Sequence, residues 1–105
     1  MNVSISTQQH DRAVRVDVGG DIDLATRNAL DSGLSAAIAT AGAEVVEVDL
    51  SGVQFIDSSG IAVLLSNRRR AEAAGVRFRV VAASDLTQRI LSVGGVWQLL
   101  GGEQT

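Results

Sequence analysis

Apolar residues repeat along this chain with two alternating periods, and this alternation limits the possible folds. A period of two, typical of a strand, marks the stretches around Val3, Val14, Val45 and Val76. A spacing of three and four, typical of an amphipathic helix, marks the stretches that follow Asp23, Ser58 and Ser84. Helices between strands favour parallel crossovers, whereas the short link between the first two strands favours an antiparallel hairpin. The order ββαβαβαβ predicts a single α/β domain over residues 1–105, with a mixed sheet of about five strands and three or more helices.

Glycine pairs and capping residues predict where these elements begin and end. Gly19-Gly20 is predicted to end the second strand, and Ser51-Gly52 is predicted to break the third. The first helix is predicted to have Asp23 as its N-cap and to end near Gly42. The last predicted element is a short fifth strand at residues 96–100.

The composition excludes several kinds of site. The chain has no cysteine, no lysine and a single histidine. Disulfides, thiolate metal sites, a multi-histidine metal centre within one chain and a Walker lysine are therefore excluded. A net charge of −3 argues against sequence-independent nucleic-acid binding. No apolar run approaches the ~20 residues of a membrane span, so we predict a cytoplasmic protein without metal, cofactor, nucleic-acid or membrane partners.

The segment Asp57-Ser58-Ser59-Gly60 lies where a predicted strand gives way to a predicted helix. In open α/β folds, functional sites usually lie at such carboxyl ends of strands. One interpretation is structural, because aspartate and serine cap the open N–H groups of a first helical turn. A second, compatible interpretation is a regulatory phosphorylation site. A phosphate there would lie beside the positive end of the helix dipole without unfolding the domain, while a partner pressed against it could not accept the charge.

Other chemistry is less well supported. A serine hydrolase would need a base, but the surroundings of Ser58 differ from the G-x-S-x-G elbow and His10 falls in a predicted surface turn. Asp21 and Asp23 are spaced as capping and dipole-compensating residues. The arginines at positions 68–70, 77 and 79 form a basic region, interpreted either as a site for an acidic partner or as a solvated helix end.

The stretch from Val48 to Leu65, VDLSGVQFIDSSGIAVLL, resembles the signature of the STAS domain family, in particular the bacterial anti-sigma factor antagonists. The segment at residues 20–23, GDID, resembles the upstream G-[DE]-[LI]-D segment of that family, and GGVW at residues 94–97 resembles its L-x-x-x-G-[LV] stretch. The similarity covers essentially the whole chain. It implies a STAS-like fold and a protein that acts by binding and is not an enzyme.

The resemblance also implies a phosphorylation cycle. In that family the unphosphorylated protein binds an anti-sigma factor with a histidine-kinase-like ATPase fold, which frees the sigma factor. The kinase then phosphorylates the first serine of the D-S-S-G block, which corresponds to Ser58, and a serine phosphatase resets the protein. The implied partner-binding residues are Asp21, Asp23, Leu24, Asp57, Ser58, Ser59, Gly60 and Ile61. Because the family includes members without such a cycle, the alternative is a scaffold or ligand-binding subunit of a transporter or sensor complex.

Overall fold

The computed structural model describes residues 2–101, which contain four strands and four α-helices in the order ββαβαβαα. The strands are β1 (Val3–His10), β2 (Ala13–Ile22), β3 (Val45–Ile56) and β4 (Arg77–Ala83). The helices are α1 (Arg27–Ile38), α2 (Ser58–Ala73), α3 (Asp85–Ser92) and α4 (Val96–Leu99), with a 3₁₀ turn at Val93–Gly95 between the last two.

The strands form one mixed sheet in the order β1-β2-β3-β4. β1 pairs antiparallel with β2, whereas β2, β3 and β4 run parallel. The predicted α/β class, the hairpin and the mixed sheet are therefore confirmed. The parallel connections contain α1 and α2, and right-handed crossovers place both helices on the same face of the sheet, where they pack against each other.

The core lies between the sheet and these helices. Alternate residues of the central strands point into it and are buried, namely Val14, Val16 and Val18 of β2 and Val46, Val48 and Leu50 of β3. The residues between them carry polar and charged side chains on the opposite face. There Arg15 forms ion pairs with Asp17 (3.3 Å) and Asp49 (2.5 Å).

Two β-bulges in the β2–β3 pairing lie where the sequence predicted strand ends. The register shifts by one residue between Asp17 and Gly19 and again between Gly20 and Asp21. A bulge bends a strand without ending it, so Gly19-Gly20 and Ser51-Gly52 lie inside strands, and their prediction as a strand end and a strand break was wrong. Gly20 has a φ of +93°, and a Cβ there would lie 2.2 Å from the carbonyl oxygen of Asn2, so only glycine fits this position.

The predicted fifth strand was also wrong, since residues 96–99 form α4. The backbone turns through positive φ at Gly94 (76°) and Gly95 (83°), and α4 then buries Trp97, followed by the buried Leu100. One strand-like contact remains, because the N–H of Val80 in β4 donates to the carbonyl oxygen of Leu100 at 2.8 Å. A short apolar run suits a buried helix as well as a strand, and periodicity alone does not separate the two.

Candidate functional site

α2 begins directly after β3, and Asp57 is its N-cap. The Asp57 carboxylate accepts hydrogen bonds from the backbone N–H groups of Ser59 (2.9 Å) and Gly60 (3.2 Å). The Ser59 hydroxyl donates to the same carboxylate oxygen at 2.5 Å. The Ser59 hydroxyl, together with the two N–H groups, lowers the pKa of the Asp57 carboxyl by stabilising its charged form. The capping interpretation of this segment is thus confirmed for Asp57.

The two serines of the segment differ in their contacts. Ser59 is half-buried, and its hydroxyl is held by Asp57. Ser58, the first residue of α2, is exposed, and within residues 2–101 its hydroxyl forms no hydrogen bond. Ser58 therefore presents the more accessible hydroxyl at the start of the helix.

Gly60 allows the first turn of α2 to lie directly on the ends of β2 and β3. A Cβ at this position would lie 2.4 Å from Cγ2 of Ile22 and 2.9 Å from Cγ1 of Ile56. Both isoleucines are buried core residues, so the space needed for a side chain is already filled. This close approach fixes the height of Ser58 and Ser59 above the edge of the sheet.

The loop that follows β2 lies at the same edge of the sheet as the start of α2. Ile22 pairs with Ile56 at the ends of the two parallel strands, and the N–H of Asp57 donates to the carbonyl oxygen of Ile22 at 3.2 Å. The structure thus brings Asp21, near the end of β2, and Asp23 and Leu24 of the loop to the edge that carries the segment Asp57–Ile61. Of that segment, Gly60 is buried and Ile61 is half-buried against the core.

Asp23 is not the N-cap of α1, and that prediction was wrong. The N-cap is Thr26, whose side chain forms no capping hydrogen bond. Asp23 instead closes the preceding turn, because its carboxylate accepts from the N–H groups of Ala25 (2.9 Å) and Thr26 (3.1 Å). The Thr26 hydroxyl donates to the carbonyl oxygen of Asp21 at 2.7 Å. An aspartate stabilises a turn and a helix start through the same kind of bond, so the residue type alone does not distinguish them.

Two large apolar side chains are exposed at this edge, Leu24 (69% exposed) and Phe55 (43%). Phe55 lies opposite Asp21 in the strand pairing, just beyond the second bulge. Sequence reasoning did not include Phe55, because regular alternation from the buried Val53 would bury it too. The signal available was the pair Phe55-Ile56, since two consecutive residues of a strand cannot both face one core.

Comparison with known proteins identifies the family. A family model described as "Mlab, STAS domain" matches residues 5–101. The chain belongs to the STAS domain family. It is 33% identical to the anti-sigma-F factor antagonist RsfA of Mycobacterium tuberculosis over 94 residues, which cover 89% of this chain and 73% of that protein. Identity to the antagonist RsfB of the same organism is 28% over 95 residues, covering 90% and 76% of the two chains.

The solved structures agree with this assignment. The crystal structure of an anti-sigma factor antagonist from Mycobacterium paratuberculosis matches with a TM-score of 0.86 at 27% identity, covering 99% of this chain and 87% of that one. The resemblance predicted from the D-S-S-G block and its flanking strand and helix is therefore confirmed. The segment Asp57–Gly60 lies where β3 gives way to α2, the strand-to-helix junction predicted from the sequence.

The geometry of this STAS domain disfavours the hydrolase alternative. His10 ends β1 beside Ala13, at the start of β2, whereas Ser58 lies beyond the other end of β2. A ten-residue strand separates them, which corresponds to roughly 30 Å at ~3.3 Å per residue. His10 therefore cannot act as a base for Ser58 within one chain. Among residues 2–101 no cluster of three or more histidine, aspartate or glutamate side chains could hold a metal ion.

The helices of this STAS domain are shorter than the ~20 residues of a membrane-spanning helix. The longest helix in the described part of the chain is α2, which has 16 residues. It is amphipathic and carries arginines at positions 68–70. Across residues 2–101, no helix is long and apolar enough to cross a membrane.

The Asp57 cap should make the stability of the domain depend on pH. A carboxyl with a lowered folded-state pKa stabilises the fold above its unfolded pKa of about 3.9, and that stabilisation is lost as pH falls through the folded pKa. The urea midpoint should therefore fall progressively as the pH is lowered below about 5. Asp57→Asn, whose amide oxygen still caps but does not titrate, should show a smaller fall.

Other carboxyls set the pH dependence that remains in Asp57→Asn. The main one is Asp49, whose pKa is raised by burial but lowered overall by hydrogen bonds from Ser51 and Arg15. Asp49→Asn removes this second carboxyl and leaves the Asp57 cap intact, so it is the matched comparison for Asp57→Asn. Equal pH dependence in wild type and Asp57→Asn would contradict the assigned role of the cap.

Proposed function

We propose that this protein is an anti-sigma factor antagonist whose partner surface is switched off by phosphorylation of Ser58. In the unphosphorylated form it binds an anti-sigma factor with a histidine-kinase-like ATPase fold, and the sigma factor is released. The kinase transfers the γ-phosphoryl group of ATP to Oγ of Ser58, whose proton goes to a base, and leaves ADP. A serine phosphatase then hydrolyses the phosphoester to restore the hydroxyl. The protein acts as a regulator by binding and not as a catalyst.

The observation that carries the proposal is the state of the Ser58 hydroxyl. It is exposed, unbonded within residues 2–101, and placed at the first residue of a helix whose start is fixed by Asp57 and Gly60. No carboxylate or imidazole of the described residues is bonded to this hydroxyl, and we propose that the base that takes its proton belongs to the kinase. Ser59 is the poorer acceptor because its hydroxyl is already held by Asp57.

The surroundings of Ser58 suit a protein contact. Leu24 and Phe55 expose apolar area at the same edge, and desolvation of such side chains supplies most of the favourable energy of a protein interface. Asp23 and Asp57 hold the two loops in shape through backbone hydrogen bonds. Gly60 and Ile61, which are covered by the fold, contribute mainly by positioning. Leu24, Phe55 and Ser58 form the contact surface.

Phosphorylation changes this surface more than it changes the fold. A phosphoserine carries a charge of about −1.5 to −2 and is stabilised at the N-terminus of a helix by the helix dipole. The domain can therefore hold the phosphate. In the complex, the same charge would be buried against a partner shaped for a neutral hydroxyl, and an unpaired buried charge is strongly unfavourable.

Pairwise reconstitution tests the proposal. Each anti-sigma factor with an ATP-binding domain from the source genome is purified and titrated with the protein, first without ATP and then with Mg-ATP. We expect one of them to bind the unmodified protein and then to add a single phosphoryl group to the peptide containing Ser58, with loss of the complex. A non-cycling scaffold would bind without being modified. Absence of binding to every anti-sigma factor would overturn the proposal.

A further inference from the structure

A groove runs along the surface between α1 and α2, starting at the proposed acceptor segment. Its volume is about 360 Å³. Ser59 of α2 lies at one end of the groove, and Arg69 and Arg70 of α2 lie at the other. Arg27 and Asp31 form the α1 side of the groove. The floor contains Ala62 and Val63 of α2. The groove is thus continuous with the surface around Ser58.

A polar network joins α1 to α2 at the end of the groove that contains Arg70. The fully buried Asn67 donates to the Asp31 carboxylate at 2.8 Å and to the carbonyl oxygen of Val63 at 2.9 Å. Arg70 donates to the Asn67 side-chain oxygen at 2.7 Å and forms an ion pair with Asp31 at 3.4 Å. The charge of Asp31 is therefore already compensated within the domain.

Arg27 and Arg69 are different, because their charges are uncompensated. Both side chains are exposed, and within residues 2–101 neither guanidinium forms an ion pair or hydrogen bond. Arg27 is moreover the first residue of α1, where the helix dipole disfavours a cation. Neither charge is used by the described part of the domain, so both guanidinium groups are available to an external partner.

We propose that this groove receives an acidic segment of the anti-sigma factor, with Arg27 and Arg69 pairing with its carboxylates. The inference rests on the proposed function, because it extends the same partner surface. Three arginines against one aspartate leave the groove positive on a chain whose net charge is −3. A protein segment with carboxylates on both sides of small apolar residues complements this charge and the Ala62–Val63 floor. The acidic remainder of the chain would repel a long polyanion such as nucleic acid.

Charge reversal tests this assignment. In Arg27→Glu combined with Arg69→Glu, affinity for the anti-sigma factor that binds the wild type should fall about 10- to 100-fold, chiefly through slower association. Raising NaCl from about 50 to about 300 mM should weaken wild-type binding more than binding of the double variant. Arg77→Glu combined with Arg89→Glu is the matched control, because both arginines are exposed and unpaired in the described chain and lie outside the groove. It should lose less than about threefold.

A folding defect would be recognised separately. Arg27→Glu places an acid at a helix N-terminus, so the double variant should have a urea midpoint equal to or above that of the wild type. Equal affinity of wild type and double variant, or an equal loss in the control, would overturn the acidic-segment assignment alone. If no anti-sigma factor binds the unmodified wild type, the proposed function and this inference both fall.

Discussion

Replacing Ser58 with aspartate should abolish partner binding while leaving the domain folded. The carboxylate puts one negative charge into the contact surface, where the bound partner would exclude water from it. An unpaired charge left in an interface costs about 2–5 kcal/mol, which corresponds to a loss of affinity of about 30-fold to several thousand-fold. The change should be measured by titration calorimetry against the anti-sigma factor identified by reconstitution.

The isolated domain should hardly respond to the same substitution. Ser58 is exposed at the first residue of α2, where an acid gains about 0.3–1 kcal/mol from the helix dipole. Repulsion from the neighbouring Asp57 carboxylate opposes this gain across solvent. The melting temperature should therefore stay within a few degrees of the wild-type value. A domain that melts normally but does not bind separates an electrostatic switch from simple unfolding.

Two alanine variants complete this experiment. Ser58→Ala removes the acceptor without adding bulk or charge, so it should bind like the wild type and remain bound in the presence of Mg-ATP. Ser59→Ala removes only the hydroxyl that contacts Asp57, so it should still be phosphorylated. Tight binding by Ser58→Asp, or a phosphate found on Ser59, would show that the proposed switch is wrong.

The strand-to-helix change at residues 56–58 was predictable because its signals are local. The apolar period switches there, and Asp57 has both the residue type and the spacing of an N-cap. Capping bonds reach only two or three residues along the chain, so the sequence contains both partners. For the same reason a cap of α3 at Ser84 or Asp85 was predictable, and the structure has Ser84, whose hydroxyl accepts from the N–H of Thr87.

The local pair Phe55-Ile56 shows that one of the two residues is exposed, but which one was not predictable from local pattern. The exposure of Phe55 results from the bulge that shifts the pairing from Gly20–Val53 to Asp21–Phe55, and this shift depends on a strand more than thirty residues away. A glycine next to a polar residue signals a turn and a bulge equally well. Only the backbone of the neighbouring strand decides between them, and that neighbour is set by the whole topology.

The Arg27–Arg69 groove likewise depends on tertiary structure. The run at positions 68–70 was visible as a basic region, but the sequence grouped it with Arg77 and Arg79. In the fold Arg68 turns to the carbonyl oxygen of Leu99 (3.0 Å), whereas Arg69 faces the groove with Arg27 of α1. Residues that adjoin in the chain therefore separate, because one helical turn points successive side chains in different directions.

Substituting Gly60 with alanine should destabilise the domain and weaken partner binding together. The new Cβ would lie 2.4 Å from Ile22 and 2.9 Å from Ile56, so buried isoleucines or the start of α2 must shift. Overpacking of this kind typically costs about 1–3 kcal/mol. This cost equals or exceeds the roughly 1 kcal/mol that alanine gains over glycine in a helix. Urea denaturation gives the loss of stability. Because α2 carries Ser58, a shift of its first turn should also lower affinity for the anti-sigma factor.

Gly33→Ala provides the control for Gly60→Ala. Gly33 lies within α1, and its Cβ would meet only the side chain of Ile5, with a nearest distance of 3.0 Å. Ile5 belongs to the edge strand β1 and is partly exposed, so it can yield where the enclosed Ile22 cannot. The gain in helix propensity should then offset most of the contact cost. Affinity should not change, because Ile5 yields and α1, which carries Arg27, keeps its place. If Gly60→Ala proves as stable as Gly33→Ala, then α2 does not rest on the strand ends as closely as the structure places it. The position of Ser58 would then have to depend on the Asp57 cap alone.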